Sequence, residues 1–159
     1  MKKDREIRKQ LAKHLEGGLA FTSIESILDK VSFKKIGVRS PGLPYSIYEV
    51  FYHITFAQKD ILDYMFSNQY IERDWPKNYW PDKLAPESEE EWKNLKAEFF
   101  EDRRSLKDQI LNSDLDLSQS VQNSMEHSLF REIMLVIEHN AYYTGQLLII
   151  QRLLGVYVN

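Results

Sequence analysis

The sequence predicts an all-α fold: a four-helix bundle with long crossover loops and a short extra helix. Apolar residues recur at the three- and four-residue spacing of amphipathic helices in four segments, and no segment shows the alternation of a half-buried strand. Two connections are far longer than the roughly 2 to 8 residues usual between antiparallel neighbours in a bundle. At 159 residues with 43% hydrophobic composition, the chain is expected to form one domain, 1–159.

The first helix is expected at about 4–16, because Ile7, Leu11 and Leu15 share one helical face and a pair of glycines follows. A short helix should come next. Residues 22–25, Thr-Ser-Ile-Glu, have the Ser/Thr-x-x-Glu form of a capping box, which satisfies the free N–H groups at a helix start.

The second long helix is expected after a loop at 33–45 that holds two glycines and two prolines. Ser46 and Glu49 form another capping box, and the helix should end near Ser67. His53 lies on the edge of its apolar stripe. That stripe is Ile47, Val50, Phe51, Ile54, Ala57, Ile61 and Met65.

The stretch 69–87 contains three prolines and the aromatic group 75–81, so it is predicted to be irregular. A third long helix should begin at Ser88, which forms a capping box with Glu91 and is followed by acidic residues that suit the helix dipole. Its buried stripe is expected to be Trp92, Leu95, Phe99, Leu106 and Ile110.

A polar loop at 112–127 leads to the last helix, expected at about 128–154 with Gly155 as its C-terminal cap. This helix is apolar on almost all sides, which predicts that other helices surround it. Gly145 inside it costs about 1 kcal/mol relative to Ala, so a close helix approach is the natural reason for it.

Composition excludes several classes of protein and site. A net charge of -3 gives no electrostatic reason to expect a nucleic-acid partner. The absence of cysteine excludes disulfides, thiolate catalysis and zinc sites that contain Cys. The charged N-terminus does not resemble a signal peptide, and the longest aliphatic run, 147–150, is too short to span a membrane. We therefore expect a cytoplasmic protein with no membrane partner.

Two of the four histidines, His53 and His139, fall on core-facing stripes of long helices. On the last helix, one face presents polar residues in its centre and aliphatic residues at its ends: Glu132, Leu135, His139, Tyr143, Gln146 and Ile150. Metal and ligand sites of bundles are commonly built on such faces. The alternative is that the two imidazoles are buried and hydrogen-bonded to each other, to Tyr143 or to the backbone, since buried polar groups must be paired.

The chain resembles the DinB/YfiT-like superfamily over nearly its whole length. The resemblance rests on residues 44–62 around His53, on the aromatic loop 75–81, and above all on the His-Asn-Ala-Tyr run that starts at His139. It implies a bundle whose members often hold a divalent nickel, zinc or similar ion with three histidines. His53 and His139 match two of these metal ligands, and Tyr143 stands at the third position.

Tyr143 leaves three interpretations open. In the first, its phenol ligates a metal. In the second, it hydrogen-bonds one of the histidines in a metal-free pocket, and in the third, its ring fills the space that the ion would occupy. The last two are favoured together, because a phenol must lose a proton of pKa about 10 to become a good ligand.

The resemblance further implies a homodimer that acts on a small molecule, either by thiol transfer or by hydrolysis. Glu49, Glu138 and Gln146 are candidates for groups that lie near the metal, and the sequence assigns none of them a role. No catalytic residue can be assigned from the sequence. The competing hypothesis is a non-catalytic bundle without metal that binds a ligand or another protein.

Overall fold

The structure, a computed structural model that describes residues 2–156, is all-α. Within those residues no β-strand forms, and a single isolated bridge joins Ser120 and Ser128. The helices are α1 (Lys2–Glu16), α2 (Ile24–Leu28), α3 (Ile47–Phe66), α4 (Glu89–Leu111) and α5 (Leu129–Leu153). Short 3-10 turns at Phe33–Lys35 and Lys77–Tyr79 interrupt the two segments predicted as loops.

Side-chain caps set the starts of α3 and α4. The capping box predicted at Ser46 is confirmed: its hydroxyl accepts from the Glu49 N–H at 3.2 Å, and the Glu49 carboxylate accepts from the Ser46 N–H at 2.7 Å. At α4, Ser88 accepts from the Glu91 N–H at 3.1 Å. The Glu91 carboxylate, however, accepts from the N–H of Glu87, so the second half of that box lies one residue earlier than predicted.

The capping box predicted at 22–25 is wrong. Ser23 is the N-cap of α2 and accepts from the Ser26 N–H at 3.3 Å. Ile24, the first helical residue, is 4% exposed. Packing of this side chain against the core fixes where the helix begins, and the residue immediately before it becomes the cap.

The buried face of α1 also differs from the prediction. Leu11 and Leu15 are buried as expected, but Ile7 is 53% exposed, and Arg8 and Ala12 are buried instead. The helix is turned so that the Arg8 guanidinium reaches the carbonyl groups at the end of α4. A polar contact therefore decides which side of α1 faces inward.

The core lies where the long helices meet. Both α1 and α3 pack against α4 and α5, and α2 packs against α5. His53 is fully buried rather than at the edge of the α3 stripe, whereas Ile61 of that stripe is only partly buried. Among residues 2–156 none of the helices combines the length and apolarity that a membrane crossing needs.

The prediction that other helices surround α5 is wrong. One face of α5 is open, and its exposed large apolar residues are Phe130, Met134, Tyr142, Ile149 and Leu153. The close helix approach expected at Gly145 is also not made among residues 2–156, because no atom outside the adjoining helical backbone lies within 4 Å of the position its Cβ would take. Gly155 does follow the C-cap of α5, with φ of +65°, as predicted.

Candidate functional site

The two histidines selected from the sequence meet in the structure. His53 projects from the middle of α3 and is fully buried, and His139 projects from the middle of α5. Their Nε2 atoms are 3.1 Å apart. The contact between α3 and α5 therefore brings together two imidazoles that are 86 positions apart in the chain.

The proton positions of this pair follow from a third group, the backbone carbonyl of Tyr79. His53 Nδ1 lies 3.0 Å from that oxygen. Because a carbonyl oxygen can only accept, the Nδ1 carries the proton and the Nε2 of His53 is a bare acceptor. His139 then donates its own Nε2–H to His53. The pair is thus a directed hydrogen-bond chain that starts at His139 and ends at the main chain.

Both imidazoles are neutral at pH 7. Burial lowers the pKa of His53, and the hydrogen bond to the Tyr79 carbonyl opposes this effect only in part. Burial, reinforced by the neighbouring His53, lowers the pKa of His139 to about 4. An added proton on His53 would also place two N–H groups head to head between the rings.

Aromatic rings enclose the pair. Trp80 stacks on His53 with a centroid separation of 4.3 Å and an interplanar angle of 7°. The Tyr143 ring contacts His53 edge-on at 4.5 Å and His139 at 4.7 Å. Burial raises the pKa of the Tyr143 phenol, which keeps it protonated. This packing favours the interpretation in which Tyr143 fills space beside the imidazoles.

The donor set fits a divalent ion only in part. Two ligands at adjacent positions on one ion, each about 2.0–2.1 Å away, are separated by roughly 3 Å, and the two Nε2 atoms match this distance. The carbonyl that holds His53 Nδ1 is also typical of ligating histidines. However, residues 2–156 contain no cluster of three His, Cys, Asp or Glu that could hold a metal, and Tyr143 is a protonated phenol. The site falls one ligand short of a stably held ion.

A cleft of about 420 Å³ opens beside the pair. His139 and Tyr143 are among its lining residues, and the walls come from α3, α5 and the segment 70–79. Its aromatic lining residues are Tyr64, Tyr70, Trp75, Tyr79 and Tyr143. Volume and lining are in the range of small-molecule sites, which are mostly apolar with a few converging polar groups.

Polar groups that the sequence did not point to line the rest of the cleft. The Tyr79 hydroxyl donates to Asp60 at 2.5 Å, while burial raises the pKa of the Asp60 carboxyl. The His127 Nδ1 lies 2.9 Å from the Tyr64 hydroxyl and 3.4 Å from the buried carboxylate of Glu132. Asp60 follows His53 by seven residues, two helical turns along the same face, and this spacing was the signal available in the sequence.

Glu49 and Glu138, suggested as neighbours of the metal, lie elsewhere. The Glu49 carboxylate caps α3 and pairs with Arg39 at 2.9 Å; burial opposes ionisation, but Arg39 lowers the pKa of Glu49 overall. Glu138 is exposed, and Gln146 is half-buried outside the cleft lining. None of the three lines the cleft.

Comparisons of this chain with protein-family models, with curated proteins and with solved structures find no match. The resemblance to the DinB/YfiT-like superfamily therefore stays a prediction, and the function has to be inferred from the chemistry of the site itself.

Proposed function

We propose that this protein is a DinB/YfiT-like bundle of four long helices that binds a small organic molecule in the aromatic cleft without a resident metal. The observation that carries the proposal is the 420 Å³ cleft, which is lined by aromatic residues and by the neutral imidazole of His139, with His53 buried behind it. The contacts of α1 and α3 with both α4 and α5 support the bundle arrangement. A cleft of this kind holds its ligand by apolar contact, and a few polar groups orient it.

The charges of the residues that line the cleft favour a cationic ligand. Asp60 and Glu72 contribute carboxylates to the lining, while the guanidinium of Arg131 is neutralised by its contact with Glu132. Aromatic faces attract cations by about 0.5–2 kcal/mol each, more when water is excluded. A protonated arylalkylamine satisfies both features.

We expect benzylamine to bind more tightly than benzyl alcohol, and benzyl alcohol more tightly than benzoate, which are probes of similar size and different charge. Binding should shift the NMR signal of the indole N–H of Trp75, which lines the cleft and is 61% exposed. The indole of Trp92, buried in the core, should not respond.

Filling the cleft with a Leu135→Trp substitution should abolish these shifts, because Leu135 lines the cleft wall on α5. The matched control is Leu111→Trp on the exposed end of α4, which should bind the probes like the wild type. Shifts that are absent for all three probes, or that persist in Leu135→Trp, would contradict the proposal.

A second candidate function follows from the 3.1 Å separation of the two Nε2 atoms. In this alternative the protein is a metal-dependent transferase or hydrolase, and His53 and His139 hold a nickel, zinc or similar ion. Such an ion supplies Lewis acidity that activates a bound thiol or water. The chain itself contributes the orientation of His53 through the Tyr79 carbonyl and the exclusion of water by Trp80.

Metal analysis separates the two candidates. After dialysis against zinc or nickel and then against metal-free buffer, we expect the wild type to retain far less than one equivalent, and Tyr143→His to retain about one, because that variant adds the third imidazole of an open site. Tyr142→His, on the exposed face one position away, is the control and should behave like the wild type. Stoichiometric metal in the wild type would instead establish the second candidate.

A further inference from the structure

A second histidine, His127, lines the cleft well away from His139. It directly precedes Ser128, the N-cap of α5, and it lines the cleft together with Tyr64 of α3 and Arg131 of α5. Arg131 comes eight residues before His139, roughly 12 Å along the helix axis. This part of the cleft therefore carries polar groups that are separate from the His53–His139 pair.

Two groups hold the His127 ring through its Nδ1 atom. The Tyr64 hydroxyl lies 2.9 Å from Nδ1, and a carboxylate oxygen of Glu132 lies 3.4 Å from it. Glu132 is buried, and contact with the guanidinium of Arg131 balances its charge. Because a carboxylate only accepts hydrogen bonds, it favours the neutral imidazole that carries its proton on Nδ1. In that tautomer the Nε2 atom is a bare acceptor.

This Nε2 atom of His127 is the ring nitrogen left for a ligand. Within the part of the chain that the structure describes, it makes no hydrogen bond, and it is not shut off from solvent as the Nδ1 of His139 is. The His127 side chain is 37% exposed. Of the two histidines that line the cleft, His127 is therefore the one whose free nitrogen a bound molecule can reach.

Apolar side chains line the cleft between its acidic groups and His127. On α3, Asp60 and Tyr64 are four residues apart, roughly 6 Å along the axis, and Ile61 lies between them. Leu135 contributes an aliphatic side chain from α5. A single benzene ring with a short alkyl link covers such a span, and its faces suit apolar walls.

We propose that His127 Nε2 accepts a hydrogen bond from the ligand, and that the ligand is an arylalkylamine with a phenolic hydroxyl at the end of its ring opposite the ammonium. This inference rests on the proposed function, in which Asp60 and Glu72 attract the ammonium group. The ring lies against Ile61 and Leu135, and the phenol donates to Nε2. A phenol has a pKa of about 10, so it keeps this proton at neutral pH.

Three probes test the inference: phenethylamine, tyramine, which adds the phenolic hydroxyl, and 4-methoxyphenethylamine, whose ring oxygen cannot donate. Their dissociation constants are measured at about pH 7.5 from the shift of the Trp75 indole N–H signal. We expect tyramine to bind about five- to tenfold more tightly than phenethylamine, as for one added hydrogen bond. The methoxy compound should bind no more tightly than phenethylamine.

Replacing His127 with phenylalanine removes the acceptor but keeps a flat ring beside Tyr64. In His127→Phe the advantage of tyramine should fall below about twofold. Phenethylamine should bind this variant as it binds the wild type, which shows that the cleft is intact. The matched control is His14→Phe, at an exposed position of α1, and it should keep the full advantage of tyramine.

Nitrogen NMR of the ring gives a measurement that needs no variant. In the unliganded protein at about pH 7.5, the Nε2 of His127 should have the chemical shift of an unprotonated imidazole nitrogen. This signal should move when tyramine is added and stay in place with 4-methoxyphenethylamine. A protonated Nε2 in the unliganded protein would overturn its role as acceptor.

The probe series also separates this inference from the proposed function. If phenethylamine binds but tyramine binds no more tightly, the hydrogen bond to His127 is overturned while the amine-binding cleft stands. The same holds if the advantage of tyramine persists in His127→Phe. If none of the three amines shifts the Trp75 signal, both the inference and the proposed function fail.

Discussion

Replacing Arg8 with methionine is expected to lower the free energy of unfolding by about 3 kcal/mol. The guanidinium is buried, with 5% of Arg8 exposed, and donates to the carbonyls of Ile110 at 3.0 Å, Asn112 at 2.9 Å and Leu115 at 2.6 Å. These carbonyls lie at and just beyond the end of α4, which has no basic residue in its last turn. Arg8 therefore supplies, from another helix, the positive charge that the carboxyl end of α4 lacks.

Methionine keeps most of the volume of the side chain but removes every donor. The Ile110 carbonyl is then left buried without a partner, whereas water can reach the other two more easily. Urea denaturation followed by circular dichroism measures the loss. The control is Arg5→Met, where a 67% exposed side chain pairs with Glu6 only at 3.9 Å, and the expected change is within about 0.5 kcal/mol. Equal losses in the two variants would contradict this role for Arg8.

The α1 helix shows where sequence reasoning reaches its limit. Its existence follows from local pattern, and so does the choice of Leu11 and Leu15 as core residues. Either Ile7 or Arg8 can be turned toward the core, and hydrophobicity alone predicts that Ile7 is the buried residue. The structure selects Arg8, because its partners lie more than 100 positions away, at the end of α4. The periodicity of apolar residues within α1 cannot predict contacts with residues so distant in the sequence.

For the candidate site, too, the sequence predicted some of the groups and missed others. Helical periodicity placed His53 and His139 on inward faces, and the structure brings them together. The groups that define their chemistry, the Tyr79 carbonyl and the Trp80 ring, come from an irregular proline-rich segment. Side-chain spacing does not predict where such a segment packs. At Gly145 the predicted close helix approach is absent from the part of the chain that the structure describes, and the position is exposed on the surface of α5.

Acidification is expected to destabilise the protein through His139. Its pKa is about 4 in the folded chain, against 6.5 for an ordinary imidazole. Between these values the unfolded chain binds a proton that the folded chain does not. The free energy of unfolding therefore falls as the pH drops from about 6.5 to about 4, at up to about 1.4 kcal/mol per pH unit. Above about 6.5 this group contributes no pH dependence, and the full loss is on the order of 3 kcal/mol.

Because carboxylates also titrate in this range, the measured quantity is a difference between variants. The free energy of unfolding is compared at about pH 7 and about pH 4.5 for the wild type and for His139→Gln, whose amide can still donate to His53 but does not titrate. The loss on acidification should be smaller in the variant by about 2 kcal/mol. His14→Gln, which removes an exposed histidine, should lose as much as the wild type. If His139→Gln and the wild type lose the same amount, the imidazole of His139 is not held neutral by its surroundings, and the directed hydrogen-bond chain from His139 through His53 to Tyr79 must be abandoned.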